Sequence, residues 1–359
     1  MKRFTLIVIV IFIFIIALIG CVNKSIIDRV SIPLVIGVDK GPKTTMILTI
    51  SKPQYKGKDT ITNVEATAVS QTIINARGIL LEEENTPILS GKLSVLLCSR
   101  QLAKEGLEKA IDMALRNPRV SKRLQLAVVD GQAKELLEAN YSHSVEKGHY
   151  LIQQFNSNIK EGHLPRTNLH TFEYALLGKG IDPYLPLVKL EEGKFKITGL
   201  ALFQKDKYVD SLNNKELKFF KLLVEKKNHG TYETKLREDV YVSVQNEQSS
   251  FRYKASFNNV NPEIDIKLKL KGSILESAGF EITDNDRQHL ESTFSKEIVN
   301  AVEDLIHRFQ KLGIDPLGLG NFVRSRTRHW DENIWEEQYP NIKIKINADV
   351  SLIGEGDRK

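Results

Sequence analysis

Residues 93–98 read Leu93-Ser94-Val95-Leu96-Leu97-Cys98, and residues 124–129 read Leu124-Gln125-Leu126-Ala127-Val128-Val129. Both are short apolar runs of strand length. Between them, Leu102 to Leu115 carries apolar residues at helical spacing and is closed by Arg116-Asn117-Pro118. After the second run Asp130-Gly131 turns the chain into another helical stretch, Gln132 to Ala139. Strand, helix, strand, helix with short connections predicts an α/β layer in which the two runs lie parallel.

Toward the N-terminus, Ile32 to Val38 and Thr44 to Ser51 read as two strands of a hairpin, with Asp39-Lys40-Gly41-Pro42 as turn chemistry. Glu65 to Leu81 places Ala66, Val69, Ile73, Ala76 and Leu80 three or four apart, which predicts one helix. Toward the C-terminus, Val145 to Lys160 and Leu169 to Leu177 are helical in pattern, and Gly178 to Leu190, with Pro183 and Pro186, reads as a linker or crossing segment. Beyond it Phe195 to Phe203 and Lys207 to Asp210 form a hairpin, and Lys215 to Lys226 a helix. Val240 to Val244, Phe251 to Phe257 and Ile264 to Leu270 alternate apolar and polar residues, the mark of strands with one dry face. Asp284 to Leu312 predicts a long amphipathic helix with Asp284 as N-cap and Gly313 as C-cap, and Ile342 to Ile346 a closing strand. The expected architecture is mixed, α/β and α+β. The expected division is a signal peptide at 1–20, a lipidated tether at 21–31, an N-terminal α/β region at 32–190 (divisible into two, the second about 85–165), and a C-terminal α+β domain at 191–359.

The first residues have the three zones of an export signal: Lys2 and Arg3, an uncharged run from Phe4 to Ile19, then Leu18-Ile19-Gly20-Cys21. The final cysteine makes this a lipobox, so Cys21 is the expected lipid attachment site and the new N-terminus after cleavage. Sixteen residues span ~24 Å as a helix, short of the ~30 Å core of a bilayer, which favours cleavage over an uncleaved anchor. The only other cysteine, Cys98, then has no partner in the chain and reads as a small buried hydrophobe. The net charge of +6 becomes +4 without Lys2 and Arg3, a mild basic excess that suits an anionic membrane surface and gives no case for nucleic acid.

No catalytic pattern emerges. The eight histidines (His143, His149, His163, His170, His229, His289, His307 and His329) form no H-E-x-x-H pair, there is no G-x-S-x-G elbow, and Gly318-Leu319-Gly320 lacks the context of a phosphate loop. No catalytic, cofactor or metal residue is assigned. Arg324, Arg326, Arg328 and His329 make a basic cluster that reads first as a solvated face, with anionic lipid or an acidic partner as the alternative. Trp330 and Trp335, the only tryptophans, would diverge by about 140° on a helix, so that one packs inward while the other meets a neighbouring element or partner.

The stretch Phe309 to Gly320, containing Asp315-Pro316-Leu317-Gly318-Leu319-Gly320, together with Trp330, Trp335 and Tyr339-Pro340, resembles the Ger(x)C family, the C-subunit lipoproteins of bacterial spore germinant receptors. Leu89 to Leu97, Leu102 to Leu107, Arg116-Asn117-Pro118 and the Ile36-Gly37-Val38-Asp39 hairpin agree with it. One departure is Val22-Asn23-Lys24 where many members have Trp-Asp-Arg after the lipid cysteine. The resemblance implies a three-domain mixed α/β body without enzymatic activity or cofactor. It implies a lipid-anchored position on the outer face of the spore's inner membrane, beside membrane-spanning A-type and B-type subunits. Asp315, Pro316, Gly318, Gly320, Trp330 and Trp335 are then family-motif residues with a structural or partner-contact role. A lipoprotein solute-binding protein delivering a nutrient to a transporter is the alternative, and an exported hydrolase a third.

Overall fold

The computed structural model describes residues 34–56, 60–83, 90–142, 145–226, 229–258, 261–277 and 280–353. The expected signal peptide, Cys21, the expected tether up to residue 33 and His143 lie outside the described residues. At the centre stand β4 (Val95–Ser99) and β5 (Gln125–Val129), parallel with Val95 opposite Gln125, every residue of both buried. On the other side of β4 lies β1 (Val35–Lys40), also parallel, with Val35 opposite Val95. The Asp39–Pro42 turn carries β1 into β2 (Met46–Lys56): the Gly41 amide donates to the Thr45 carbonyl at 2.8 Å, and Lys43 takes a φ of 56°.

Several readings need correction; the strands expected over Val240–Val244 and Phe251–Phe257, for one, are a single strand. The helix expected over Glu65–Leu81 begins only at α1 (Ile73–Glu83); the chain before it is β3 (Thr60–Ser70), paired antiparallel with β2 from Lys56–Thr60 to Met46–Ser70. Thr60, Ile61, Thr62, Val64, Thr67 and Val69 are β-branched and suit a pleated surface, and the pairing partner overrides the helical spacing. The helix expected over Leu102–Leu115 is two, α2 (Arg100–Glu105) and α3 (Glu108–Arg116), broken at Gly106 with a φ of 128°. The Asp206 side chain caps the second piece, accepting the Glu108 amide at 3.1 Å. After α4 (Ala133–Glu138), α5 (Lys147–Lys160) and α6 (Leu169–Leu177), the segment expected as a linker contains β6 (Tyr184–Glu191). β6 runs parallel to β5, but that pairing begins only at Val128–Leu187, so Pro186 sits just before the β5 ladder and its missing N–H leaves no gap there. β7 (Lys194–Gln204) and β8 (Lys207–Asn213) complete an eight-stranded sheet in the order β3-β2-β1-β4-β5-β6-β7-β8. The division expected between 190 and 191 falls inside this sheet, next to the β6–β7 turn.

α7 (Asn214–Val224), started by an Asn213–Glu216 capping box, leads to β9 (Gly230–Arg237), β10 (Val240–Asn258) and β11 (Asn261–Glu276). With β12 (Ile344–Ile353), parallel to β11, they form a second sheet in the order β12-β11-β10-β9. The long helix is α8 (Asp284–Leu312), and its stripe Leu290, Phe294, Ile298, Val302, Leu305 and Phe309 is buried throughout, as the spacing predicts. Its cap is Thr283 rather than Asp284: the Thr283 hydroxyl accepts the Asp286 amide at 3.2 Å, and the Asp286 carboxylate accepts the Thr283 amide at 3.2 Å. α9 (Leu319–Arg324) and α10 (Glu332–Gln338) follow.

One face of the eight-stranded sheet packs under α1, α2, α3 and α6. The other face shares a continuous core with α4, α5, α7, α8 and the second sheet. Edge-to-face rings knit that junction, Tyr184 to Phe220 at 5.1 Å between centroids and Phe220 to Phe309 at 6.0 Å. Among the described residues no helix is long and apolar enough to cross a membrane.

Candidate functional site

The Asp315–Gly320 turn is built by the end of α8. Gly313 adopts the left-handed conformation (φ 64°) and closes a Schellman motif, its amide reaching the Gln310 carbonyl at 3.2 Å and the Ile314 amide the Phe309 carbonyl at 3.0 Å. Pro316 then cannot continue a helix, and Gly318, also left-handed (φ 68°), reverses the chain into α9. The Asp315 side chain is buried and turned inward, its carboxylate accepting the Leu319 amide at 3.0 Å and the Gly320 amide at 2.7 Å. It thus satisfies the first amides of the helix that its own turn creates.

The turn is clamped to the lead-in of β6. The Asp182 carboxylate accepts the Asp315 amide at 2.8 Å and the Lys205 amide at 3.0 Å, and the Asp182 amide donates to the Asp315 carbonyl at 2.9 Å. The Asn321 amide donates to the Gly180 carbonyl at 2.7 Å. A Cβ on Gly320 would stand 2.5 Å from Trp335 Nε1 and 2.8 Å from the Gly180 Cα, so only glycine fits where the two segments cross. Burial pushes the Asp315 carboxyl up to about 7, and the Asp182 charge adds to this against the opposing backbone amides. Asp182 is likewise raised, chiefly by burial.

Of the residues expected from sequence, Asp315, Pro316, Gly318, Gly320 and Trp335 meet here. Trp335 is buried and lies against Tyr339, with ring centroids 5.5 Å apart. Trp330 stands apart, half-buried, with its indole N–H buried and without a partner among the described residues. One tryptophan is inward and one at the margin, but Trp330 lies before α10, so the difference is not the angular divergence expected on a single helix. Arg324, Arg326, Arg328 and His329 are exposed, and Arg326 stacks over the Phe322 ring at 3.7 Å. Sequence reasoning missed Asp182 and Gly180, which lay in the segment taken for a linker, and Gln310, whose side-chain amide donates to the Tyr339 and Ile342 carbonyls at 2.9 and 2.8 Å.

Two further clefts are lined by charged groups that are paired within the chain. A cleft of about 770 Å³ between α7, β9 and α8 has Arg308 on its wall, bound to Asp210 at 2.6 Å and Glu216 at 2.8 Å. A crevice of about 320 Å³ at the carboxyl ends of β1, β4 and β5 is lined by Asp39, whose carboxylate accepts the Ala133 and Lys134 amides at 2.7 and 2.8 Å. Arg100 beside it pairs with Asp130 at 2.9 Å. Among the described residues no group of three or more His, Cys, Asp and Glu side chains could hold a metal ion. Cys98 is buried, and burial pushes its thiol up to about 12.

Two family models match the chain in succession. The spore germination protein N-terminal domain matches residues 23–190, and the spore germination B3/GerAC-like C-terminal domain matches residues 198–356. The changeover falls at the β6–β7 turn. The chain is 29% identical to the spore germination protein GerQC of Bacillus cereus over 343 residues, covering 94% of this chain and 96% of that one. It is 24% identical over 304 residues to the putative spore germination protein YfkR of Bacillus subtilis (strain 168), covering 79% and 77%. The fold is similar to the crystal structure of the GerBC protein, with a TM-score of 0.59 at 16% identity over 89% of this chain and 96% of that one.

Proposed function

The chain is a member of the Ger(x)C family of spore germination proteins, and we propose that it is the non-catalytic lipoprotein subunit of a nutrient germinant receptor. Membership in the family implies association with other receptor subunits. The observation that carries the proposal is the end-to-end match of both family domains, across a body whose two halves are locked by the Asp182–Asp315 clamp. Such a body offers surfaces to partners. In the proposed arrangement Cys21 carries the lipid, the body stands on the outer face of the spore's inner membrane, and membrane-spanning A-type and B-type subunits are its partners. The Asp315–Gly320 turn then sets the relative position of the two halves, so that both present a fixed surface.

The test is capture of the tagged full-length chain from detergent-solubilised spore membranes. The proposal expects an A-type and a B-type receptor subunit in comparable amounts. Recovery with the components of an ATP-driven transporter instead would favour the solute-binding alternative and contradict it.

A further inference from the structure

We propose that the end of the eight-stranded sheet at which the tether enters is a lipid-facing surface, which rests on an anionic bilayer through exposed apolar side chains of α6 and α10 and the arginines around them. This deepens the anchored reading of Cys21, which brings the protein to the bilayer; the face itself is argued from the body alone.

The parallel strands β1, β4, β5 and β6 begin at one end of the sheet, at Val35, Val95, Gln125 and Tyr184. Backbone bonds link that end from flank to flank. The Leu34 carbonyl accepts the Ser94 amide at 2.9 Å, the Ser94 carbonyl the Gln125 amide at 2.9 Å, and the Leu124 carbonyl the Leu169 amide at 2.8 Å, where α6 starts. Twelve residues lie between Cys21 and Leu34, so Cys21 and this end of the body are at most ~47 Å apart. A chain anchored at Cys21 therefore joins the body at this end.

Large apolar side chains stand out here. Leu177 is 74% exposed and Tyr174 54% on α6, and Ile334 is 54% exposed on α10, which the Lys179–Glu332 pair at 3.4 Å holds beside the end of α6. Asn321 joins the apolar and basic parts: its side-chain amide donates to the Tyr174 hydroxyl at 2.9 Å, and its side-chain carbonyl accepts from Arg324 at 3.0 Å. Arg324 is bound to Asn321 and Arg123 adjoins Leu124, whose carbonyl takes the Leu169 amide; these two, with Arg119 and Arg328, are exposed and in no ion pair among the described residues. Acids of these elements are engaged: Glu173 with Lys122 at 2.8 Å, Glu332 with Lys179, and Asp182, Asp315 and the exposed Asp331 on backbone amides. Glu336 and Glu337 on α10 are exposed, and Glu82 and Glu83 lie at the end of α1 on the β2–β3 flank. Aliphatic and tyrosyl side chains among unpaired arginines are the composition of an interfacial membrane surface. Anionic headgroups supply the charge the arginines lack.

The test uses the full-length lipidated protein on vesicles, with an environment-sensitive thiol dye at Leu177→Cys. Cys98 is buried and does not compete for the dye. Lys194→Cys, at the start of β7 and the opposite end of the sheet, is the control position. Quenching of the dye at 177 by aqueous iodide should fall at least about threefold on vesicles about one-third phosphatidylglycerol, relative to pure phosphatidylcholine. About 0.5 M salt should restore it, the Arg324→Gln, Arg328→Gln double variant should weaken it, and position 194 should not respond. Flotation with both kinds of vesicle but no change at 177 overturns the lipid-facing surface and leaves the anchor standing. Flotation and protection on anionic vesicles alone keeps the surface and removes the anchor. Protection by polyglutamate but by neither vesicle overturns the proposal in favour of an acidic protein.

Discussion

Asp182 and Asp315, 133 residues apart, hold each other's backbone: the Asp315 amide donates to the Asp182 carboxylate at 2.8 Å while the Asp182 amide donates to the Asp315 carbonyl at 2.9 Å. One residue belongs to the lead-in of a central strand, the other to the turn after the long helix. The turn is thus a joint between the halves that the two family domains describe, and its strength sets how firmly they are fixed.

Removing one side of the joint should loosen it measurably. Asp182→Ala leaves the Asp315 and Lys205 amides without their acceptor, which should cost about 1–3 kcal/mol in urea unfolding. Combined with Asp315→Ala, the loss should be smaller than the sum by about 0.5–3 kcal/mol. Strict additivity would show that the two residues act independently.

The joint should also respond to pH. Asp315 titrates near 3.8 when unfolded, and burial, with Asp182 beside it, pushes it up to about 7 in the fold. The charged and titratable groups facing the pair are Lys205, Glu336, Tyr253 and Tyr339. A raised carboxyl favours the protonated fold, so its contribution is complete below about pH 4 and is lost as pH rises through about 7. The contribution of Asp315 should therefore fall between about pH 4 and pH 7, and Asp315→Asn should flatten that fall. An unchanged slope in the variant would remove Asp315 as its source.

Gly320→Ala should destabilise by about 1–3 kcal/mol, because the new methyl meets the Trp335 indole and the Gly180 backbone. Gly318→Ala should cost about 1–2 kcal/mol through its left-handed backbone. Only the first should shift the tryptophan emission of the folded protein, since it displaces Trp335. Equal spectra in both variants would show that the crossing yields elsewhere.

The two cysteines should behave as opposites. Cys21→Ala should abolish incorporation of labelled palmitate and release the body from the membrane or block processing. Cys98 should stay unmodified by iodoacetamide until the protein unfolds, because its buried thiol ionises only near pH 12. Labelling that persists with Ala at 21 would remove the lipid anchor from the account.

Much of the fold was legible where one local period ruled. The apolar runs at 93–98 and 124–129 became neighbouring parallel strands, and the stripe of α8 faced the core residue by residue. Errors arose where two signals shared a segment. Ala66, Val69 and Ile73 kept a helical spacing across the end of β3 and the start of α1, and Pro183 and Pro186 disguised β6. β10 was read as two strands because Gln245 to Ser250 is polar, yet its neighbours β9 and β11 carry the ladder through. The motif at 315–320 was visible as a turn, but its partner Asp182 was not, since nothing local marks a contact over such a separation.

The central claim is that this chain is a subunit through which nutrients trigger germination. Deleting its gene, in a strain without a redundant paralogue, and following the loss of spore refractility tests it most directly. The account predicts that the response to at least one class of nutrient disappears and returns with the intact gene. Normal germination with every nutrient tried would contradict it.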